Sequence, residues 1–192
     1  AVPSFTNAGT HTVWYKAEAN NHETASGSFT VSIAAKAVNA TIELSGAPFT
    51  YTGSAIEPTA TVKDGGTTIS PSEYTVSYSD NTNAGTATVT VTNKDGGNYT
   101  VSGSTRFTIK PAALTGVSVT QDGALTYNGT AQAATVKTSA TAKGDQSVTF
   151  TYSATKDGPY GEMPSFTDAG THTVWYKAEA NNHEAESGSF TV

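Results

Sequence analysis

Residues 3–31, PSFTNAGTHTVWYKAEANNHETASGSFTV, return almost unchanged at residues 164–192, shifted by 161 positions. Only Asn7/Asp168, Thr24/Ala185 and Ala25/Glu186 differ. A third, diverged copy lies between them. NAGTATVTV at residues 83–91 echoes NAGTHTVWY at 7–15, an offset of 76, and DAGTHTVWY at 168–176 follows a further 85 on. FTI at 107–109 echoes FTV at 29–31 and 190–192, YTG at 51–53 echoes YNG at 127–129, and YTVSY at 74–78 echoes VTFTY at 148–152. Copies at this spacing fit small modules on a string, each with its own core. The unit therefore occupies about residues 36–111 and then 112–192, and residues 1–35 are the back half of an earlier unit. The linkers read SIAAKAV and TIKPAAL, and Pro111 ends a strand that cannot continue through it.

The extra length of the last unit has a definite place. Five positions separate Tyr78 from Asn83, but sixteen separate Tyr152 from Asp168. The insertion, ATKDGPYGEMP at residues 154–164, is rich in Gly and Pro and reads as an exposed hairpin loop. The chain starts at Ala1 with no signal peptide, within the equivalent of that loop, and reads as a mature or excised piece that begins either at a loop tip or at an arbitrary boundary.

Nearly every segment alternates with period two and is punctuated by turn dipeptides. TATVTVT runs into NKDGGN, and ATVKDGGTTI is two strand pieces around Asp64-Gly65-Gly66. No stretch of helical length keeps an apolar helical period, and SPSEY at 70–74 is one short turn at most. The chain is therefore expected to be all-β, as tandem small β-sandwich modules of immunoglobulin-like architecture with six to eight short strands each. The internal alignment also sets orientation. Val13 and Tyr15 match Val89 and Val91, and Val174 and Tyr176, so these positions face the core. Trp14 and Trp175 match Thr90, so alternation places Trp14, Lys16 and Glu18 outward, and Trp175, Lys177 and Glu179 likewise.

Composition removes several classes of function. Of 192 residues only 14% are charged and the net charge is −6, which leaves no basic stripe to neutralise phosphates, so no nucleic-acid partner is expected. No apolar run approaches the length of a membrane helix. Cysteine is absent, and a cysteine-free, Thr-rich strand protein suits the exterior of a bacterial cell.

The outward Trp-Lys-Glu rows are the most distinctive candidate chemistry. An exposed indole at Trp14 or Trp175, with Lys16 or Lys177 beside it, either stacks on a sugar face or a protein partner, or packs across the strand on its own neighbours. Tyr160 in the inserted loop is a second candidate contact. His11, His22, His172 and His183 form two repeat-related pairs that read as surface residues, because a metal site needs three or four converging ligands. The Asp-Gly and Asn-Gly clusters lack the alternating acids of a calcium loop and read as turns. No nucleophile, base and orienter share a recognisable motif, so neither enzyme activity nor a cofactor is expected. A Lys–Asn isopeptide crosslink is disfavoured because Lys16 and Lys177 point outward and the core carries no acid.

The pattern FTYTGSAIEPTATVKDGG…EYTVSYSDNTNAGTATVTVT…GNYTVSGSTRFTIKP resembles the immunoglobulin-like tandem repeats of large bacterial, especially Firmicute, cell-surface proteins. Related repeats are grouped with mucin-binding β-grasp modules, but that fold requires a helix packed on the sheet. The resemblance spans the whole chain, transfers no functional residue, and implies a cell-surface, extracellular location with neighbouring repeats as partners. It implies a stalk or spacer. Two alternatives stay open: an adhesive module binding host glycan or protein through the Trp faces, and an accessory module of a secreted polysaccharide-active enzyme. Residues 1–35 carry Val13, Tyr15, Phe29 and Val31 with no front half to cover them, so cover by another chain or by a retained, cleaved front half is expected there, with strand exchange as one route.

Overall fold

A computed structural model describes residues 2–192. Apart from two single-turn 3-10 segments, Pro71–Glu73 and Lys143–Asp145, its regular structure is strand. In chain order the strands are β1 (Gly9–Ala17), β2 (Ala25–Ile33), β3 (Lys36–Ala37), β4 (Ala40–Leu44), β5 (Phe49–Thr50), β6 (Ala60–Asp64), β7 (Thr67–Thr68), β8 (Tyr74–Ser79) and β9 (Gly85–Asn93). They continue as β10 (Tyr99–Thr100), β11 (Ser102–Lys110), β12 (Thr115–Gln121), β13 (Gln132–Ala133), β14 (Val136–Thr141), β15 (Thr149–Ser153), β16 (Ser165–Phe166), β17 (Thr173–Glu179) and β18 (Glu186–Thr191). The all-β expectation holds. Its cause is visible locally: β-branched Thr and Val alternate along β9, and Gly65, with φ of 59°, makes the turn between β6 and β7 that a side chain would resist.

The chain divides into two compact units, each discontinuous in sequence. The first takes the residues up to Ala47 with Glu57–Ser79 and Ala87–Phe107. Here β4 pairs antiparallel with β6 (Ile42↔Val62) and β8 with β9 (Val76↔Val91). Their inner faces enclose a core of Val62, Ile69, Tyr74, Val91 and Val101, flanked by Val38, Ile42 and Tyr99. The same unit holds the antiparallel pair β1–β2, in which Val13 faces Phe29. It also holds a short parallel pairing of β3 with β10, Lys36 facing Tyr99.

The second unit comprises Pro48–Ile56, Asp80–Thr86 and Thr108–Val192. β15, β17 and β18 form one antiparallel sheet, β12 pairs with β14, and β5 runs parallel to Ile109 and Lys110. Tyr51, Ile109, Leu114, Val119, Val174 and Ala178 are buried in it.

The alternation read from the repeats governs all three copies. Val13, Val89 and Val174 are buried, whereas Thr90 and Trp14 are exposed and Trp175 is half-buried. One core-facing position departs from its relatives: Tyr15 is 53% exposed, while Tyr176 is half-buried. In the second unit Phe150 of β15 lies 6.3 Å from Tyr176, and Tyr152 meets Phe190 edge-on at 6.4 Å. Among the described residues 2–35 the β1–β2 pair has no strand equivalent to β15, so Tyr15 and Phe29 keep about half their surface in water.

Candidate functional site

The five residues singled out for contact fall in two places. Trp14 is 77% exposed on β1, and Lys16 beside it forms an exposed ion pair with Glu18 at 2.6 Å. Such pairs contribute only about 0–1 kcal/mol, so this one holds the side chains in a row and little more. In the last copy Lys177 pairs with Glu179 at 2.6 Å, but the face is better covered. The ammonium of Lys156, from the inserted loop, sits 5.6 Å from the centre of the Trp175 ring, a cation–π contact. The Tyr160 hydroxyl donates to the Lys156 carbonyl at 2.8 Å and steadies that loop. Tyr160 also lines a shallow hollow with Lys177, Ala185 and Ser187. The insertion thus brings Tyr160, Lys177 and Trp175 to one face, while Trp14 and Lys16 stand on a bare strand pair.

Three of the four histidines, His11, His172 and His183, are tied into turns by their rings. His11 stacks on Phe5 and His172 on Phe166, each with ring centres 4.3 Å apart. Each Nε2–H then donates to a carbonyl four residues back, Asn7 at 2.8 Å and Asp168 at 2.9 Å. These bonds brace the Asn-Ala-Gly turn and its Asp-Ala-Gly relative. Among the described residues no three His, Asp or Glu side chains converge as a metal site would require.

The most organised polar arrangement was not anticipated from the sequence. It is an asparagine clamp on the Asn-Ala-Gly turns, and it occurs twice. In the first unit the Asn98 Oδ1 accepts from the Ala8 N–H at 2.7 Å, and its Nδ2 donates to the Asn7 Oδ1 at 3.4 Å. In the second unit the Asn182 Oδ1 accepts from the Ala84 N–H at 3.0 Å, and its Nδ2 donates to the Asn83 Oδ1 at 3.1 Å. Both amides are spent in the same way, on both of the turn's polar groups.

Each clamp is itself held from behind. The backbone carbonyls of Asn98 and Asn182 both accept at 2.9 Å, from Lys36 and Ala112, the residues that open the following stretch of chain. Glu73, ending one 3-10 turn, receives the Asn98 backbone N–H at 2.6 Å. At the other clamp the neighbouring His183 donates from Nδ1 to the Asn181 carbonyl at 2.7 Å. Its Nε2 accepts from Lys143 N–H, at the second 3-10 turn, at 2.9 Å. In this arrangement the His183 Nδ1 is the donor and the Nε2 the acceptor. Its ring meets Tyr51 edge-on at 5.5 Å, and Tyr51 is only 3% exposed. Gly53 and Gly144 close the contact: a Cβ on Gly53 would lie 2.5 Å from the Gly144 Cα. The only sequence trace of this site is the thrice-repeated turn. Asn98 and Asn182 sit in dissimilar words, GGNYT and ANNHE, which hides their equivalence.

Residues 53–110 match the family model of the bacterial Ig-like domain (group 3), and residues 117–192 match that of the MBG domain. Both matches are to domains of an Ig-like kind and accord with the nearly all-strand fold. Families of this kind are typical of extracellular surface proteins and are typically non-catalytic. No curated protein and no solved structure matches the chain at a significant level. No helix among the described residues is long and apolar enough to cross a membrane.

Proposed function

We propose that the chain is a run of spacer modules, a stalk segment of a bacterial cell-surface protein, with whole modules at residues 36–111 and 112–192 and the back half of another at 1–35. The observation that carries this reading is the doubled asparagine clamp. In each case the Asn belongs to one module and the clamped turn to the module before it. Each clamp makes two hydrogen bonds across a linker that is already short. At roughly 0.5–1.5 kcal/mol apiece, two such bonds bias a joint toward one geometry without making it rigid. That suits a part whose work is mechanical: to hold another domain away from a wall with limited bending.

The test is the tumbling of the full chain by NMR relaxation. Residues 53–110 and 117–192 are expected to share one rotational correlation time, and Asn182→Ala is expected to separate the two values. Independent tumbling in the unaltered chain would remove the spacer reading. In the same reading the open face around Tyr15 and Phe29 is covered by another chain's front half through strand exchange, giving head-to-tail assembly. Sedimentation that stays monomeric as concentration rises would exclude that step.

An adhesive role for host glycan or protein rests on one observation, the 77% exposure of the Trp14 indole next to Lys16. The same faces would serve an accessory module of a secreted polysaccharide-active enzyme. Tryptophan emission unchanged across a panel of glycans and mucins would remove both.

A further inference from the structure

The surface that receives the second clamp has a sequence-equivalent 76 or 85 residues on, and there it is uncovered. Tyr51 corresponds to Tyr127, Gly53 to Gly129, and Asn83-Ala84-Gly85 to Asp168-Ala169-Gly170. Tyr51 is 3% exposed beneath His183, whereas Tyr127 is 65% exposed and Leu125 beside it 45%. A cleft of about 290 Å³ opens between them, lined by Leu125, Tyr127, Asp168, Ala169 and Gly170 among others. Its turn is already set: Gly85 and Gly170 share the same unusual backbone, with φ of 139° and 140°. The His172 bond to the Asp168 carbonyl and its stacking on Phe166 hold the turn in place.

We propose that this cleft is the receiving half of a further joint, and that its ligand is the Asn-His turn of another module of the kind found at residues 181–183. The proposal rests on the spacer reading and specifies its partner. The Ala169 N–H is placed to donate to the incoming Asn Oδ1, as Ala84 does to Asn182. The incoming Asn Nδ2 then meets a carboxylate at Asp168 in place of the Asn83 amide, a charge-assisted and stronger acceptor. The incoming His ring covers Tyr127 as His183 covers Tyr51. Asn21-His22 of a second copy offers the same turn, but residues 1–35 hold no counterpart of the Lys143–Asp145 segment that packs against Gly53. A whole module is therefore the better fit.

The experiment extends the full chain by a second copy of residues 112–192, joined to Val192 through Lys-Pro as Lys110-Pro111 joins Ile109 to Ala112. Hydrogen exchange is followed in peptides covering 123–130 and 166–170 of the original copy. Docking is expected to slow exchange there by about tenfold or more relative to the 192-residue chain. Asn182→Ala in the appended copy alone should return it to the starting rate. Protection of the appended copy's own β17, read in the same experiment, reports that it has folded. The unextended chain supplies the second arm: Asn182→Ala should speed exchange at residues 82–85. If that arm holds while a folded appended module gives 123–130 and 166–170 no protection, the proposal falls and the spacer reading stands. If neither arm responds, both fall. A cleft perturbed by neutral oligosaccharides in the 192-residue chain and left unprotected in the extended one also overturns the proposal.

Discussion

At the scale of the residue, the joint around Tyr51 depends on the absence of side chains. Gly53 has φ of +89° and faces the Gly144 backbone, while Gly65 has φ of +59° and nothing within 4 Å of the place a methyl would take. Both Gly→Ala changes incur the left-handed conformational penalty, about 1–2 kcal/mol. Only Gly53→Ala adds an overlap with backbone, worth a further ~1–3 kcal/mol. Urea midpoints are expected to fall further for Gly53→Ala than for Gly65→Ala, and equal losses would mean the 51–53 contact is not tight in solution. A second residue-scale effect concerns Lys36, whose ammonium donates to Asp64 at 2.7 Å. The hydrogen bond and the charge of Lys36 hold the Asp64 carboxyl below its ordinary range, and Asp64 raises Lys36 in turn. The pair's contribution is thus present above the unfolded carboxyl value of about 3.9 and is lost as pH falls through the lower folded one. At the basic end it is lost as pH rises through the raised Lys36 value. Asp64→Asn should therefore lower the urea midpoint at pH 7 and converge with the unaltered chain in acid. A gap that persists at low pH would place the effect elsewhere than in the charge.

At the scale of the element, the chain contains its own control. β1–β2 and β17–β18 share nearly one sequence but differ in what lies on them. In both, a tyrosine fills the space over the glycine opposite, Tyr15 at Gly27 and Tyr176 at Gly188. Only the second has β15 beside it. A two-stranded pair is marginal in water, whereas a third strand with an apolar face gives independent stability. Amides of β1 and β2 are expected to exchange at least about tenfold faster than those of β17 and β18 in dilute protein. Equal rates would show that something covers Tyr15 and Phe29. The same contrast extends to the indoles. Trp14→Phe should leave a blue-shifted, weakly quenched emission from Trp175, sheltered by Lys156, and Trp175→Phe should leave a red-shifted, easily quenched one. Indistinguishable spectra would contradict the sheltering role of residues 154–164.

At the scale of the whole molecule, the repeat explains why one surface solution is used again. Asn98 and Asn182 make the same two bonds to the same turn at sites whose surrounding sequence has diverged, which points to geometry as the retained quantity. Asn98→Ala is expected to loosen residues 5–9 in hydrogen exchange, as Asn182→Ala is expected to loosen 82–85. Protection at 5–9 that survives Asn98→Ala would assign the restraint to Glu73 and the linker instead.

Much of the architecture was legible in the chain by itself. Period-two alternation of Thr and Val settles strand against helix, and comparison of the three copies settles which face is inner, because a polar Thr90 aligned in sequence with Trp14 and Trp175 fixes the parity. These are local or repeat-borne properties, and local properties survive in a sequence. Three things were decided only by tertiary structure. Tyr15 and Tyr176 share every neighbour in sequence and differ in exposure, because burial belongs to what packs from elsewhere in the chain. Trp175 is sheltered and Trp14 is bare for the same reason. The asparagine clamps join residues 90 and 98 positions apart, within words that no longer resemble one another. A hydrogen bond of that kind constrains one atom's position and leaves the surrounding sequence free to drift.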